Sequence, residues 1–534
     1  MEKRTLLAVV ISLVILLAWD MFYIKPNTPK EPPKQAAKQE TPVPEASQPA
    51  IEIPASQSPE APAPQGSEAL EAEAVVVDTP LYRAAWSTQG GALRSFQLKK
   101  YRESLDPNSK MVEVVQTPFP FIGMNDTFTD ASVIYSVDKG EQSSPGAIPK
   151  ELVFSAQVGQ GITLKKIYTI DASAYTIGFR MVVGNNTSQA MKVNSRILMD
   201  ELYPVDKESG GYAFEGPVLL EGKHLEEFKV SKIEDVGLYR DFPGDIQWFG
   251  FEDKYFLETV IPTSPAGTTL TIKRIDENII RLNYAAPIAS IKPGTAAVKD
   301  FRIFVGPKEL NTLKSVGYGL NKALDFGFFD IIAKPLLRAM NWTYGFTKSY
   351  GLTIILLTII IKILLYPLTL KSFKSMKELQ KIQPLMKEIQ AKYKEDKQKL
   401  NQEMMKLYSE HKINPMGGCL PMLLQIPILF ALYKVFYAAI ELRHTPFHIF
   451  GMWLPDLSAK DPYYITPILM GLSQFVMQKM SPTPGDEMQK KMMLFMPVIF
   501  TVLFLSFPSG LVIYWLVSNV LSIVQQAYIN RKHT

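Results

Sequence analysis

Five long apolar segments in the last third of the chain constrain this protein more than any other feature. They lie at residues 350–368, 417–440, 463–480, 492–507 and 510–529 of a 534-residue sequence. At about 1.5 Å per helical residue they measure roughly 24–36 Å, close to the thickness of the hydrocarbon core of a bilayer. The sequence therefore predicts an α-helical transmembrane bundle.

The N-terminus predicts a sixth span. Lys3 and Arg4 precede an apolar stretch from Thr5 to Ile24, and no small-x-small cleavage site follows it. We expect an uncleaved signal-anchor helix at residues 1–24, with its basic end held in the cytoplasm.

Residues 25–74 predict a linker. Eleven prolines fall between Pro26 and Pro64, among alanine, glutamine and glutamate. This composition cannot bury enough apolar surface to offset the entropy of ordering. We expect a disordered, Pro-rich linker.

Residues 75–325 predict a β-sandwich domain. Short strand candidates at 75–77, 152–154, 162–170 and 269–275 are separated by Gly, Pro, Asn and Asp. The clearest alternation of apolar and other residues runs from Tyr175 to Val183. We find no Ser-His or paired-carboxylate arrangement, so a scaffold or binding domain is favoured over an enzyme.

Residues 326–349 predict an amphipathic helix in the membrane interface. The segment is aromatic, and Lys334 and Arg338 fit a helix lying on a membrane better than one that crosses it.

The distribution of lysine and arginine predicts the orientation. The loop at 369–416 carries eleven lysines and six acidic residues, and basic residues also mark the loop at 481–491 and the tail at 530–534. The loop at 441–462 has two basic and three acidic residues. Because basic loops stay inside, we expect both termini in the cytoplasm and the large domain on the other side of the membrane.

The basic loop at 369–416 predicts a helical hairpin. Apolar residues recur at spacings of three and four, first around Leu379, Ile382 and Met386, then around Met404 and Leu407 after a charged break at 394–397. Its basic face suits anionic lipid or ribosomal RNA, although a solvated lysine face is the commoner meaning of such a pattern.

Lys362 stands alone in an apolar segment. A charge in mid-helix costs about 2.5–3.5 kcal/mol on insertion scales, so it usually faces a polar cavity. The alternative is a lysine that reaches back to the interface. Uncharged polar residues in this segment and in the other apolar segments favour a wet groove over separate helix contacts: Thr358, Gln425, Ser473, Gln474, Thr501, Ser518, Asn519, Gln525 and Gln526.

Metal and cofactor chemistry is not indicated. The five histidines are scattered, the single cysteine, Cys419, cannot form an intramolecular disulfide, and no Gly-rich phosphate loop is present. We predict no cofactor, no metal and no enzymatic activity.

Several motifs in the C-terminal region resemble the YidC membrane protein insertase family. They are Tyr366-Pro367-Leu368-Thr369, Asn414-Pro415-Met416-Gly417-Gly418-Cys419-Leu420-Pro421, Gln425-Ile426-Pro427, Asp461-Pro462-Tyr463-Tyr464 and Phe507-Pro508-Ser509-Gly510-Leu511-Val512-Ile513-Tyr514-Trp515. The long outer domain and the N-terminal anchor resemble the family's Gram-negative form, which implies a multi-pass protein of the inner membrane with the linker and the large domain in the periplasm.

The resemblance implies a five-helix core, a periplasmic β-supersandwich and a hydrophilic groove with one positive charge. It implies nascent membrane proteins as clients and the Sec translocon as a partner, with the ribosome, the signal recognition receptor and anionic lipids as candidates for the hairpin. Lys362 stands where the family usually has Arg. The predicted groove residues are Lys362, Thr358, Gln425, Gln474, Tyr514, Trp515 and Ser518.

Two other function classes remain open at this point. A secondary transporter would use Lys362 as its coupling charge, but we see no internal duplication among the spans. An envelope receptor with a helical anchor would leave the basic hairpin and the intramembrane lysine without a role.

Overall fold

The structure is a computed structural model that describes residues 72–125, 128–140, 148–159, 161–203, 214–233, 237–287, 289–411, 413, 420–447, 454–480 and 487–532. The predicted signal anchor and nearly all of the predicted linker lie outside these residues, as does Cys419.

A β-rich domain comes first in the described part of the chain. Its strands are β1 (Ala74–Asp78), β2 (Tyr82–Ser87), β3 (Ala92–Arg102), β4 (Met111–Glu113), β5 (Phe121–Met124), β6 (Phe128–Thr129), β7 (Ser136–Asp138), β8 (Glu151–Val158), β9 (Ile162–Ile170), β10 (Thr176–Asn185), β11 (Met191–Val193), β12 (Ser195–Leu202), β13 (Gly216–Glu221), β14 (His224–Glu227), β15 (Gly237–Gly244), β16 (Ile246–Glu252), β17 (Phe256–Pro262), β18 (Thr268–Arg274), β19 (Ile279–Ala285), β20 (Ala289–Ile291) and β21 (Thr295–Pro307).

The strands pair into antiparallel sheets, two of which are large. Nine strands follow the order β14-β13-β16-β17-β21-β10-β9-β8-β7, and six follow β15-β18-β19-β12-β5-β6. The smaller sheets have the orders β1-β2-β3-β4 and β11-β20. Sequence neighbours often pair, as hairpins require.

The two large sheets pack face to face. Phe249 of β16 stacks on Tyr284 of β19 with ring centroids 5.1 Å apart, and Tyr284 meets Phe301 of β21 edge-on at 6.0 Å. Residues from both sheets share one apolar core, as in a sandwich. The β-rich character predicted for this region is therefore confirmed.

Strand β10 shows why the sequence specifies this core. Ile177, Phe179, Met181 and Val183 are all buried, while Arg180 between them is exposed and pairs with Asp300 of β21. Alternate side chains of a strand point to opposite faces, so the apolar set reaches the interior together. The predicted alternation is confirmed here.

Helices follow the β-rich domain. The described ones are α1 (Leu310–Val316), α2 (Asp330–Thr347), α3 (Tyr350–Lys381), α4 (Gln383–Lys392), α5 (Lys397–Glu410), α6 (Leu420–Ala438), α7 (Ile465–Met480), α8 (Glu487–Phe504) and α9 (Ser509–Lys532).

The basic segment after the first apolar run differs from the predicted pair of helices. Helix α3 continues without a break into the basic segment and ends at Lys381, so the described part of the segment contains the end of α3 together with α4 and α5. Pro384 lies in the first turn of α4, where its missing N–H costs nothing, but it cannot continue α3. Leu379, Ile382 and Met386 pack against Leu407 of α5, so the two arms do pair.

Two of the described helices are long and apolar enough to cross a membrane by length and composition, at Tyr350–Lys381 and Ser509–Ile529. Leu424–Ala438 and Leu494–Phe504 are shorter apolar helices. The count of six spans remains a prediction.

A buried pair of carboxyl groups joins the two large sheets. Glu201 of β12 and Glu258 of β17 are each about 95% buried, and their side chains are hydrogen-bonded to each other. Burial, and then the neighbouring Glu201, raise the pKa of Glu258 well above its ordinary value. A carboxyl group with this environment holds its proton, because two adjacent buried charges would repel each other.

This pair predicts how stability depends on pH. The pKa of Glu258 is higher in the folded state than in the unfolded chain, where it is about 4.3, so stability falls as pH rises from that value through the folded pKa. Glu258→Gln keeps a donor for Glu201 and removes the titration. We expect the variant to unfold at a temperature higher by roughly 2–4 °C at pH 8, with a smaller or no gain at pH 4.

Thermal unfolding of the full chain in detergent at pH 4, 6 and 8 measures the effect. The exposed Glu277→Gln is the matched control and should follow the wild type at every pH. A Glu258→Gln variant with the same pH profile as the wild type would show that Glu258 is ionised in the folded domain.

Candidate functional site

The candidate site is centred on Lys362, which lies on helix α3 between its buried face and its exposed face. Residues Ile354, Leu357, Thr358 and Ile361 of this helix are buried, whereas Ile363 and Leu364 are 66% and 72% exposed. Lys362 lies between these faces and is half-buried. At twelve residues from the start of α3, it is about 18 Å along the helix axis.

The ammonium group of Lys362 contacts helix α9. Its Nζ donates a hydrogen bond to Oγ of Ser522 over 2.8 Å, and the Ser522 hydroxyl donates to the backbone carbonyl of Ser518 over 2.9 Å. Within the described residues, no carboxylate lies within ion-pair distance of Lys362. The positive charge is therefore held by a neutral partner.

A second polar contact joins α9 to α6. Nε2 of Gln425 donates to Oγ of Ser518 over 3.0 Å. Ser518 is buried, and so is Tyr514 one turn earlier on α9. Because Ser518 follows Tyr514 by four residues and precedes Ser522 by four, the three side chains share one stripe of the helix.

A further stripe of α9 faces α7. The indole Nε1 of Trp515 donates to Oε1 of Gln474 over 3.3 Å, and Nδ2 of Asn519 donates to Oγ of Ser473 over 3.0 Å. The Trp515 ring also packs against two aromatic rings of α8, those of Phe500 and Phe504. Helix α9 thus carries polar side chains toward α3, α6 and α7.

The structure brings most of the predicted groove residues together in pairs. Gln425 meets Ser518, and Gln474 meets Trp515, whereas Thr358 donates to the carbonyl of Ile354 in its own helix over 2.6 Å. The partner of Lys362, Ser522, was not among the predicted residues. Ser522 follows Ser518 by four residues and Trp515 by seven. This helical spacing indicates that Ser522 lies on the same side of the helix as these two predicted groove residues.

The segment after α6 anchors the first turns of α3 and α9. Oγ of Ser509 at the start of α9 donates to the carbonyl of Asp456 over 2.9 Å. At the start of α3, a Cβ on Gly351 would overlap the ring of Phe447. Both helices that carry the Lys362 contact are therefore fixed at the same end of the bundle.

An aspartate fixes the start of α7. The buried carboxylate of Asp461 accepts hydrogen bonds from the backbone N–H and the hydroxyl of Thr466, at 2.7 and 2.8 Å. Acceptors before a helix satisfy its unpaired N–H groups and stabilise it. The Asp461-Pro462 motif therefore has a structural basis in helix capping.

The β-rich domain contacts the same end of the bundle. Arg443 lies over the rings of Tyr255 and Phe256, with its guanidinium carbon 5.5 and 5.7 Å from their centroids. Lys254 places its ammonium 3.9 Å from the ring centroid of Tyr437 on α6. These cation–π contacts connect the strand β16–β17 turn to the helices.

Two protein families match consecutive parts of the chain. The family described as "YidC periplasmic domain" matches residues 74–339, and the family described as "60Kd inner membrane protein" matches residues 342–534.

Curated relatives extend the match to the whole chain. "Membrane protein insertase YidC" of Syntrophus aciditrophicus is 42% identical over 552 residues and covers 100% of both chains. The protein of the same description in Geotalea daltonii is 40% identical and covers 99% of both. This chain belongs to the YidC membrane protein insertase family.

Solved structures give weaker similarity. "Active YidC insertase crystal structure with the first transmembrane domain resolved" is 19% identical, with a TM-score of 0.39, and covers 85% of this chain and 92% of that chain. A galactose mutarotase related enzyme from Lactobacillus acidophilus is 12% identical, with a TM-score of 0.30, and covers 44% and 97%.

Membership has two direct consequences. The chain carries the periplasmic domain of a family of inner membrane proteins, in the region that forms the β-rich sandwich. The relatives are named insertases, which describes the movement of a client into a membrane and not a chemical reaction.

The close approach of Gly351 and Phe447 predicts that a Gly→Ala substitution has opposite effects on stability at Gly351 and at Gly345. Alanine normally stabilises a helix by about 1 kcal/mol relative to glycine. Gly345→Ala in α2, where a Cβ meets nothing within 4 Å, should give this gain or less. Gly351→Ala should instead lower the free energy of unfolding by about 1–3 kcal/mol, because the new methyl group overlaps the Phe447 ring.

Thermal unfolding of both variants in detergent makes the comparison. Phe447→Ala should cost less stability in the Gly351→Ala background than in the wild type, because the methyl group then occupies part of the space that the ring leaves. If Gly351→Ala is as stable as Gly345→Ala, the start of α3 does not pack as described.

Proposed function

We propose that the chain inserts integral membrane proteins into the inner membrane by receiving their polar flanks in a hydrophilic groove beside Lys362. The observation that carries this proposal is the ammonium group of Lys362, held by the Ser522 hydroxyl within an apolar helical bundle. An uncompensated positive charge at that depth attracts an acidic or polar segment that would otherwise face hydrocarbon.

The polar residues around Lys362 form the rest of the proposed groove. They are Thr358, Gln425, Gln474, Tyr514, Trp515 and Ser518. The hydrogen bonds of Gln425 and Gln474 to α9 support this role, because they keep amide and hydroxyl groups between the helices. A client segment exchanges hydration for such groups at a lower cost than it would have in lipid.

The driving force is burial of the client's apolar helix in lipid, so the proposal needs no nucleotide and no cofactor. Five spans in the C-terminal region and the N-terminal anchor give six in all, with both termini in the cytoplasm. Helix α7 has 16 residues and measures about 24 Å, less than the usual hydrocarbon thickness. A short helix favours local thinning of the bilayer, which shortens the path of a polar flank.

The basic hairpin formed by α4 and α5 is the proposed capture site on the cytoplasmic side. Some of its lysines have local acidic neighbours, as Lys406 has in Glu410 at 4.0 Å, and both side chains are exposed. An exposed pair at this distance contributes little energy, so Lys406 can exchange Glu410 for anionic lipids, the ribosome or the signal recognition receptor. The Sec translocon is a proposed partner on the family resemblance alone.

Helix α2 is proposed to lie in the periplasmic interface of the membrane. Ile331, Trp342 and Phe346 are 82%, 66% and 72% exposed, so one side of the helix presents apolar and aromatic groups. Aromatic rings favour the interface between hydrocarbon and water. In this position α2 would hold the β-rich domain against the membrane.

Replacement of Lys362 tests the charge directly. Two unit charges 4 Å apart attract by on the order of 4 kcal/mol at an effective dielectric constant of about 20, and part of this is offset by lost hydration. We expect Lys362→Ala to insert a one-span client with an acidic translocated tail roughly tenfold more slowly than the wild type. Lys362→Arg should retain most of the activity, because its charge is the same.

The assay uses the full-length protein reconstituted in liposomes, with protease protection of the translocated tail as the readout. The same client with its acidic residues replaced by Asn and Gln is the control, and Lys362→Ala should leave its insertion nearly unchanged. Wild-type rates for both clients in the Lys362→Ala variant would contradict the proposed role of the charge.

A further inference from the structure

Two hydrogen bonds fix the orientation of the Ser522 hydroxyl group. A serine hydroxyl has one hydrogen to donate and two lone pairs to accept with. The hydrogen is used on the carbonyl of Ser518, over 2.9 Å, so the oxygen is left to accept from the ammonium of Lys362 over 2.8 Å. The carbonyl of Ser518 thus orients the hydroxyl for a cation.

The position of Ser522 matches the depth of Lys362. Helices α3 and α9 begin at the same end of the bundle, and Ser522 lies thirteen residues after the start of α9, about 20 Å along the axis. The corresponding distance for Lys362 on α3 is about 18 Å. The bond therefore runs nearly level between two parallel helices, and it holds the lysine side chain across the bundle.

Without the bond to Ser522, the Lys362 side chain could instead extend toward the aqueous interface. Lys371, where the basic segment begins, is nine residues away, or about 13 Å, and a lysine side chain can cover about half of that distance toward the aqueous interface. Among the described side chains, Ser522 is the hydrogen-bond partner of Lys362 that opposes such a movement.

We propose that Ser522 is a positioning and specificity-determining residue, which holds the Lys362 ammonium at mid-depth and leaves its charge available to acidic client flanks. This inference rests on the proposed insertase function of the Lys362 groove. A hydroxyl group suits the role because it anchors the cation without neutralising it. A carboxylate at the same position would anchor Lys362 equally well and cancel its charge.

Substitutions at position 522 separate anchoring from charge. Ser522→Ala removes the anchor, Ser522→Thr keeps the hydroxyl, and Ser522→Asp keeps an anchor but neutralises Lys362. Ser506→Ala is the matched control, because the Ser506 hydroxyl donates only to the carbonyl of Leu503, at the end of α8. Full-length variants are reconstituted in liposomes and assayed with the one-span client in its acidic and neutral forms.

The measured quantity is the ratio of the insertion rate of the acidic client to that of the neutral client. We expect Ser522→Ala to lower this ratio about fivefold, since a hydrogen bond to a charged group is lost. Ser522→Asp should remove the preference for the acidic client, whereas Ser522→Thr and Ser506→Ala should keep the ratio within about twofold of the wild type. A merely structural role would slow both clients together and leave the ratio unchanged, and this result would overturn the proposal.

A double-mutant cycle with Lys362→Ala distinguishes this inference from the function on which it rests. If Ser522 acts through Lys362, Ser522→Ala has no further effect on the ratio in a Lys362→Ala background. If Lys362→Ala lowers the ratio and Ser522→Ala does not, the positioning role is wrong and the groove charge stands. If Lys362→Ala leaves the ratio unchanged, the proposed function of the groove charge fails, and the inference about Ser522 fails with it.

Discussion

The positive charge of Lys362 inside an apolar bundle is the constraint on which the proposed mechanism depends, and the hydrogen bond to Ser522 is the contact that holds it. A positive charge inside an apolar bundle is costly unless it is paired or hydrated. The protein holds this one with a hydroxyl on a neighbouring helix, and the polar stripes of α9 extend from it toward α6 and α7. The contacts at the opposite end of α3 and α9, around Gly351 and Ser509, keep the two helices in register for this bond.

A second buried lysine shows the opposite arrangement. Lys166 in the β-rich domain is fully buried, its Nζ lies 2.8 Å from Oδ2 of Asp130, and it donates to the carbonyls of Gly90 and Pro120. Asp130 accepts in addition from the N–H of Ile122 and the hydroxyl of Tyr135. Both charges are neutralised and hydrogen-bonded, which is what a buried ion pair requires to be tolerated in a core.

The two lysines, Lys166 and Lys362, differ in whether a carboxylate neutralises their charge. Lys166 has three partners, the carboxylate of Asp130 and the carbonyls of Gly90 and Pro120. These bonds connect β9 to the turn at Gly90. Lys362 has a single neutral partner among the described side chains, which agrees with the proposal that its charge is available to a client. A lysine side chain is thus neutralised in the core of the β-rich domain and bound to a neutral hydroxyl in the helical bundle.

Much of the fold could be predicted from the sequence, because periodicity records which faces are buried. The alternation along β10 and the apolar spacing of the basic hairpin both led to the observed contacts. The continuation of α3 through Lys381 was missed, because lysines on an exposed helix face give no signal for where an apolar helix ends. Ser522 was missed because a lone serine in an apolar segment is usually bonded to its own helix, and the neighbour that it meets lies 160 residues away.

The proposed mechanism is tested most directly by measuring whether position 362 faces water inside the bilayer. Single cysteines at positions 362 and 363, in a Cys419→Ser background, can be exposed to a water-soluble maleimide from the cytoplasmic side of liposomes. We expect rapid labelling of Lys362→Cys, slowed by a stalled client, and little labelling of Ile363→Cys, which lies on the exposed face of α3. Equal labelling at the two positions, or labelling at 362 that a stalled client does not affect, would contradict the proposed mechanism.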